Sequence, residues 1–366
     1  VTGIMYITEA DLRSLVDKLV ASGTRVIGPT RKGQSGAQRG ASLRGVVLYR
    51  QVQGYDEIVF EAAPPALSLK SSFLPKTEPL LEWRKRKDDV EVTPASLDFP
   101  TQVVVGARSC DAAALPIVDR VMDWDYHDEP WFGRRQATTV ITMACTDGDA
   151  SCFCTAVGLA PDATQGSDIL LTPSSGGYSA EILTDKGLAL VQSSGSLFKN
   201  ENRLDESKPA REAVRKKVEA NLHIDPEKVR TFLRDNFEHP FWRDVALRCQ
   251  GCGACASVCP TCHCFDIVDE PEGIDRGWRR RNWDTCQTAK FTLHGSGHNP
   301  RTDQGSRIRQ RTMHKFYIYP ERFQSILCTG CGRCVRACAG GMDILEVLRK
   351  IDSMSGSSTA ATAGAK

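Results

Sequence analysis

The chain has 366 residues, enough for two or three domains, with 41% hydrophobic and 25% charged residues and a formal net charge of +2. That balance gives no support to a broadly basic nucleic-acid or membrane-binding surface, and no run approaches the roughly 20 consecutive apolar residues of a membrane helix. No basic segment followed by an apolar core opens the chain, so a cytoplasmic location is expected; there, fifteen cysteines point to cluster, metal or redox chemistry rather than disulfides.

In chain order, residues 9–23 (EADLRSLVDKLVASG) predict an amphipathic helix, and RVIGP (25–29), RGVVLYRQV (44–52) and EIVFEA (57–62) predict short strands. Residues 101–123 read as a buried strand, a turn holding Cys110, and a helix. TTVITMACTDG (138–148) predicts the next buried strand, ending at Cys145. DILLTP (168–173), YSAEILT (178–184) and LALVQ (188–192) are further strand candidates. This alternation predicts an α/β domain with a mixed sheet over residues 1–204, within an α+β chain overall. Residues 205–248 read as three helical segments forming a connector, the second opened by Asp225-Pro226, a cap followed by a first-turn proline. A small, helical, ferredoxin-like domain is expected over 249–348, interrupted by an insertion at 265–325, and the small polar residues of 349–366 predict a disordered tail.

The insertion carries ten Lys and Arg between 276 and 315. No recognised nucleic-acid module surrounds them, so they read as a solvated loop, as counter-charge to anionic clusters, or as a partner contact.

Cys249, Cys252, Cys255 and Cys259 follow C-x2-C-x2-C-x3-C, and Cys328, Cys331, Cys334 and Cys338 repeat it. This is the spacing of bacterial ferredoxins with two 4Fe–4S clusters. Three thiolates on a tight loop cap one cluster, and the fourth, on the next helical turn, reaches the other. The expected ligand sets are therefore Cys249, Cys252, Cys255 and Cys338 for one cluster, and Cys328, Cys331, Cys334 and Cys259 for the other. Zinc sites pair two short C-x-C units with four ligands in all, which fits two complete runs poorly. Pro260 follows the first run, whereas Ala339-Gly340-Gly341 follows the second.

Seven cysteines remain. Cys110 and Cys145 end adjacent predicted strands, and Cys152 and Cys154 follow closely. Strand ends gather on one rim of an α/β sheet, so these four could hold a third 4Fe–4S cluster, zinc, or nothing. Cys262, Cys264 and Cys286 read as thiols packed beside the clusters, with a ligand role as the lesser alternative. There is no dinucleotide-binding fingerprint, no phosphate loop, no H-E-x-x-H and no nucleophile elbow, and the seven histidines are scattered; no catalytic residue is assigned.

The ordered string GARSCDAAALPIVDRV (106–121), SCFC (151–154), CQGCGACASVCPTCHCFD (249–266), RNWDTC (281–286), GHNPR (297–301), RQRTMHKF (309–316) and CTGCGRCVRAC (328–338) resembles the iron–sulfur beta subunits of cytosolic Ni–Fe hydrogenases. It is similar in the same way to the iron–sulfur subunit of anaerobic sulfite reductases, and the likeness covers roughly residues 55–345. The resemblance implies a subunit carrying electrons between a flavin- and NAD(P)-binding subunit and a catalytic subunit of Ni–Fe hydrogenase or siroheme sulfite reductase type. It also implies a cluster at Cys110, Cys145, Cys152 and Cys154. The competing expectations are a stand-alone sulfur- or disulfide-reducing enzyme using Cys262, Cys264 or Cys286, and a non-redox scaffold. Neither nucleic acid nor membrane insertion is expected.

Overall fold

A computed structural model describes residues 3–31, 45–60 and 64–357. Seven strands form one mixed sheet: β1 (Gly3–Thr8), β2 (Arg25–Arg31), β3 (Val47–Gln51), and, after two strands of a second sheet, β6 (Gln102–Arg108), β7 (Thr138–Met143), β8 (Ile169–Ser174) and β9 (Gly177–Ile182). Their order is β1-β9-β8-β7-β6-β2-β3. β2, β6, β7 and β8 run parallel, while β1, β9 and β3 pair antiparallel at the edges. Every residue of β6 is buried, as expected of a β-branched run covered on both faces. One layer of core holds Leu12, Val16, Val105 and Ile169, the other Val104, Leu115, Trp131 and Val140.

Two sequence expectations fail in this region. Residues 188–192 lie inside the helix Asp185–Ser193, capped by the Thr184 hydroxyl, which accepts from the Gly187 N–H at 3.2 Å. The apolar run is too short for periodicity to separate helix from strand, and the cap decides. EIVFEA forms no strand at 58–60, where only Val59 N–H reaches the sheet, donating to Pro29 O at 2.8 Å; residues 61–62 lie outside the described residues.

The second sheet spans the chain. β4 (Thr77–Lys85) and β5 (Val90–Pro94) join β10 (Phe265–Pro271) and β11 (Arg276–Trp283) in the order β10-β11-β4-β5. The front of the 265–325 insertion is thus a hairpin added to an earlier hairpin, not a loop, and a boundary at 248 cuts through a sheet. Arg281, buried at their junction, is paired with both Glu78 and Asp128.

The connector supplies the helices Lys208–Glu219, Pro226–Asp235 and Phe241–Ala246. The last two share one core with Phe153, Ile308, Phe316 and the helix Ile344–Ser357. That helix corrects the expected tail: Ile344, Leu345, Val347, Leu348 and Ile351 make a buried stripe, so order runs on through 357. Residues 358–366 of that expectation lie outside the described residues.

Candidate cluster sites

The two cysteine runs fold into the same turn twice. Gly253 and Gly332 occupy the N-cap positions of the short helices Ala254–Ser257 and Arg333–Arg336, both in the left-handed region. Each helix contains the third cysteine of its run, and the fourth follows two residues after the helix ends.

Cys249, Cys252, Cys255 and Cys338 line one cavity, with Arg311, Gln287 and Ile308. Cys252 is exposed there. Cys259, Cys328, Cys331 and Cys334, by contrast, are all buried. Lys315 ties two of them together: its ammonium lies 3.5 Å from Cys259 Sγ and donates to Thr261 Oγ1 at 2.9 Å and to the carbonyl of Leu327, next to Cys328, at 2.8 Å. Lys315 belongs to a π-helical turn, His314–Ile318, after the helix Gln304–Met313. Such turns free a backbone carbonyl, and Lys315 O takes the Leu327 N–H at 3.0 Å, fixing the start of the second run. The Cys262 thiol, Lys315 and Arg311 together hold the Cys259 thiol well below its ordinary range against burial, while Cys262 is pushed up. Burial raises Cys328 to about 11.

A third group forms on the sheet rim. Cys110 and Cys145, following the adjacent strands β6 and β7, line a cavity with Cys152 and Cys154. The second run closes this cavity. Phe153 N–H donates to Gly330 O at 2.8 Å, and a Cβ on Gly330 would stand 2.4 Å from the Cys154 nitrogen. Burial raises Cys145 to about 11 and Cys154 to about 12, so any metal taken up by these thiols would displace protons. Arg333, buried between Cys110 and Cys331, is held by Asp111 at 2.6 Å, and Asp111 in turn accepts from Tyr49 Oη at 2.8 Å.

Single residues link the three groups. Cys334 lines the first cavity and Cys331 the third, although both stand in the buried set. Among the described residues no three His, Cys, Asp or Glu side chains come together to hold a single metal ion. A four-iron cube sets its own atoms between its ligands, so its thiolates stand farther apart than those around one ion. Buried polar atoms without a protein partner gather beside the third group: Arg108 Nε, Ser109 Oγ, Thr155 Oγ1, Thr329 Oγ1 and Arg333 Nη1. All can donate, and cluster sulfides accept.

Cys262 accepts from Arg311 Nη1 at 3.1 Å, and Cys264 donates to Cys286, which is lowered to about 6. Sequence reading offered counter-charge as one task for the 276–315 cations but did not single out which are buried, and it missed Lys70. Lys70, Arg307, Arg311 and Lys315 are each 6% exposed or less, and the last three recur every fourth residue along one helix face.

The class of protein follows from the repeated motif. Residues 248–342 match the 4Fe–4S dicluster domain, an iron–sulfur electron-transfer module that holds two 4Fe–4S clusters. Over 328 residues, 89% of this chain and 92% of the relative, the protein is 27% identical to sulfhydrogenase 2 subunit beta of Pyrococcus furiosus, which bears out the resemblance drawn from its motifs. No solved structure matches. Among the described residues no helix is long and apolar enough to cross a membrane.

Proposed function

We propose that the protein is the electron-transfer subunit of a cytoplasmic multi-subunit oxidoreductase, with three clusters in a row. The observation that carries this reading is the placement of Cys331 and Cys334 from one short run on two different cysteine-lined cavities. Cys259, Cys328, Cys331 and Cys334 would hold the middle cluster. Cys249, Cys252, Cys255 and Cys338 would hold the one that opens to the surface at Cys252. Cys110, Cys145, Cys152 and Cys154 would hold the third, on the sheet rim. When bound, each cluster supplies a one-electron couple.

The chain's own part is to fix the thiolates, exclude water and place charge. Burial of all four middle cysteines keeps water from the centre of the path. The Gly330 and Phe153 backbones, bonded at 2.8 Å, hold the second run against the third site. The name of the relative supports a hydrogenase-type catalytic partner. A flavin- and NAD(P)-binding subunit, or a siroheme sulfite reductase as catalytic partner, rests on the motif resemblance.

Iron and acid-labile sulfide on protein purified without oxygen test the reading, at about twelve of each per chain for three four-iron clusters. About eight of each would remove the third site. Cys259→Ser should damage the middle cluster, although Cys259 stands in the first run; selective damage to the Cys252 cluster would overturn the ligand exchange.

A second reading, a sulfur- or disulfide-reducing enzyme, draws on the Cys264–Cys286 pair and the depressed Cys286 thiol. It requires turnover by the isolated chain with an artificial donor, abolished by thiol alkylation without iron loss.

A further inference from the structure

The ten cations between 276 and 315 read in sequence as a solvated loop, as counter-charge to clusters or as a partner contact, and the structure places some of them inside. Arg311 lines the cavity of Cys249, Cys252, Cys255 and Cys338, donates to the Cys255 carbonyl at 3.1 Å and to Cys262 Sγ at 3.1 Å. Lys315, one turn on, reaches Cys259 Sγ, Thr261 and Leu327. Both are buried, and among the described residues neither is paired with a carboxylate. Their partners are sulfur, a hydroxyl and backbone carbonyls, so no carboxylate neutralises their charge. Two other buried cations are paired with carboxylates: Arg281 with Glu78 and Asp128, Arg333 with Asp111. A desolvated, unpaired cation is costly to keep, unless negative charge belongs beside it. Clusters ligated by four thiolates are anionic and become more so on reduction. A fixed cation beside a ligand sulfur therefore stabilises the reduced form more than the oxidised form.

We propose that Lys315 and Arg311 set the reduction potentials of the two ferredoxin-type clusters, Lys315 raising that of the middle cluster through Cys259 and Arg311 raising both from between them. They are positioning residues, and the inference rests on the ligand sets proposed above. Because Arg311 spans the two sets, it keeps the step between them small, which favours passage in either direction.

The experiment is a potentiometric titration followed by electron paramagnetic resonance on the full holo-protein, with iron counted in each sample. Lys315→Met should leave the iron count unchanged and shift one cluster to more negative potential. The oxidised-to-reduced ratio at the wild-type midpoint should change at least tenfold, about 59 mV for a one-electron couple. Lys315→Arg should restore most of it. Arg311→Met should shift two clusters and leave the third in place. An unmoved midpoint with full iron, or an equal shift in all three clusters, overturns the proposal. If Lys315→Met loses iron, Lys315→Gln, which can keep a hydrogen bond without the charge, takes its place. Loss of iron in both neutral variants assigns Lys315 a structural task and also overturns it. Absence of any reducible cluster in the wild-type protein would instead bring down the electron-transfer reading itself.

Discussion

The sheet-rim site and the ferredoxin core hold their cations differently: buried Arg333 and two more exposed cations at the rim are paired with carboxylates, while three buried cations of the core are not. At the rim, Arg333 is held by Asp111, Arg336 by Asp149 at 2.8 Å, and Lys217 by Asp147 at 2.6 Å. In the core, Lys70, Arg311 and Lys315 meet sulfur, hydroxyl and carbonyl groups: Lys70 donates to Cys262 O at 2.9 Å and lies 3.9 Å over the Trp283 ring. Paired charges cast little net field, whereas unpaired ones impose it on whatever lies beside them. A cluster at the rim should thus be harder to reduce than the middle one, giving the row an internal slope.

The largest expected effect comes from making the rim resemble the core. Asp111→Asn leaves Arg333 buried without its carboxylate, and should cost about 3–5 kcal/mol, measured by chemical denaturation of the holo-protein. Little loss of stability would mean that the rim cation is not held by pairing at all.

Next is the core's resistance to further positive charge. His263 is depressed to about 4 and His314 to about 3, by burial first, with Lys315 among the cations that add to it. Unfolded, both titrate near their ordinary value of about 6.5, so between there and pH 3 the unfolded state binds more protons. Stability should fall as pH drops through that window, by several kcal/mol. His263→Gln with His314→Gln should flatten the slope; an unchanged slope in the double variant would place the acid sensitivity elsewhere.

At the seam between the two regions, Gly330 has φ +62° and its Cβ direction is filled by the Phe153–Cys154 backbone. Gly330→Ala should destabilise by about 2 kcal/mol or more and disturb the middle and rim clusters together, leaving the Cys252 cluster intact. Spectra in which only one changes would argue that the seam is not shared. The smallest effect is expected at an exposed ion pair. Arg230→Ala, breaking the contact with Glu321, should leave the unfolding midpoint where it was.

The eight ferredoxin-type cysteines were legible because their chemistry is written at spacings of two and three residues. Cys110 and Cys145 were legible because unbroken β-branched runs announced two neighbouring strand ends. β4 and β5 were not, since a polar run such as TEPLLEWRK gains its strand character from β11, nearly two hundred residues away. The inward face of Arg307, Arg311 and Lys315 was visible as a four-residue period. Its direction was not, because arginine and lysine face solvent by default and only the gathered thiolates reverse that. The stripe of Ile344, Leu348 and Ile351 could have been found from its period, had the small polar residues after it not set the expectation for the whole tail.

The four-stranded sheet also imposes a timetable. β4 and β5 leave the ribosome long before β11 exists, so β4 waits with an open edge while the first cysteine run is made. When β10 and β11 close onto it, the segment carrying Cys249 to Cys259 is tied to the earlier part of the chain through one sheet. Residues 248–342 produced alone would present the bare edge of β11 to other chains, and the full-length chain is the form in which maturation should be reconstituted.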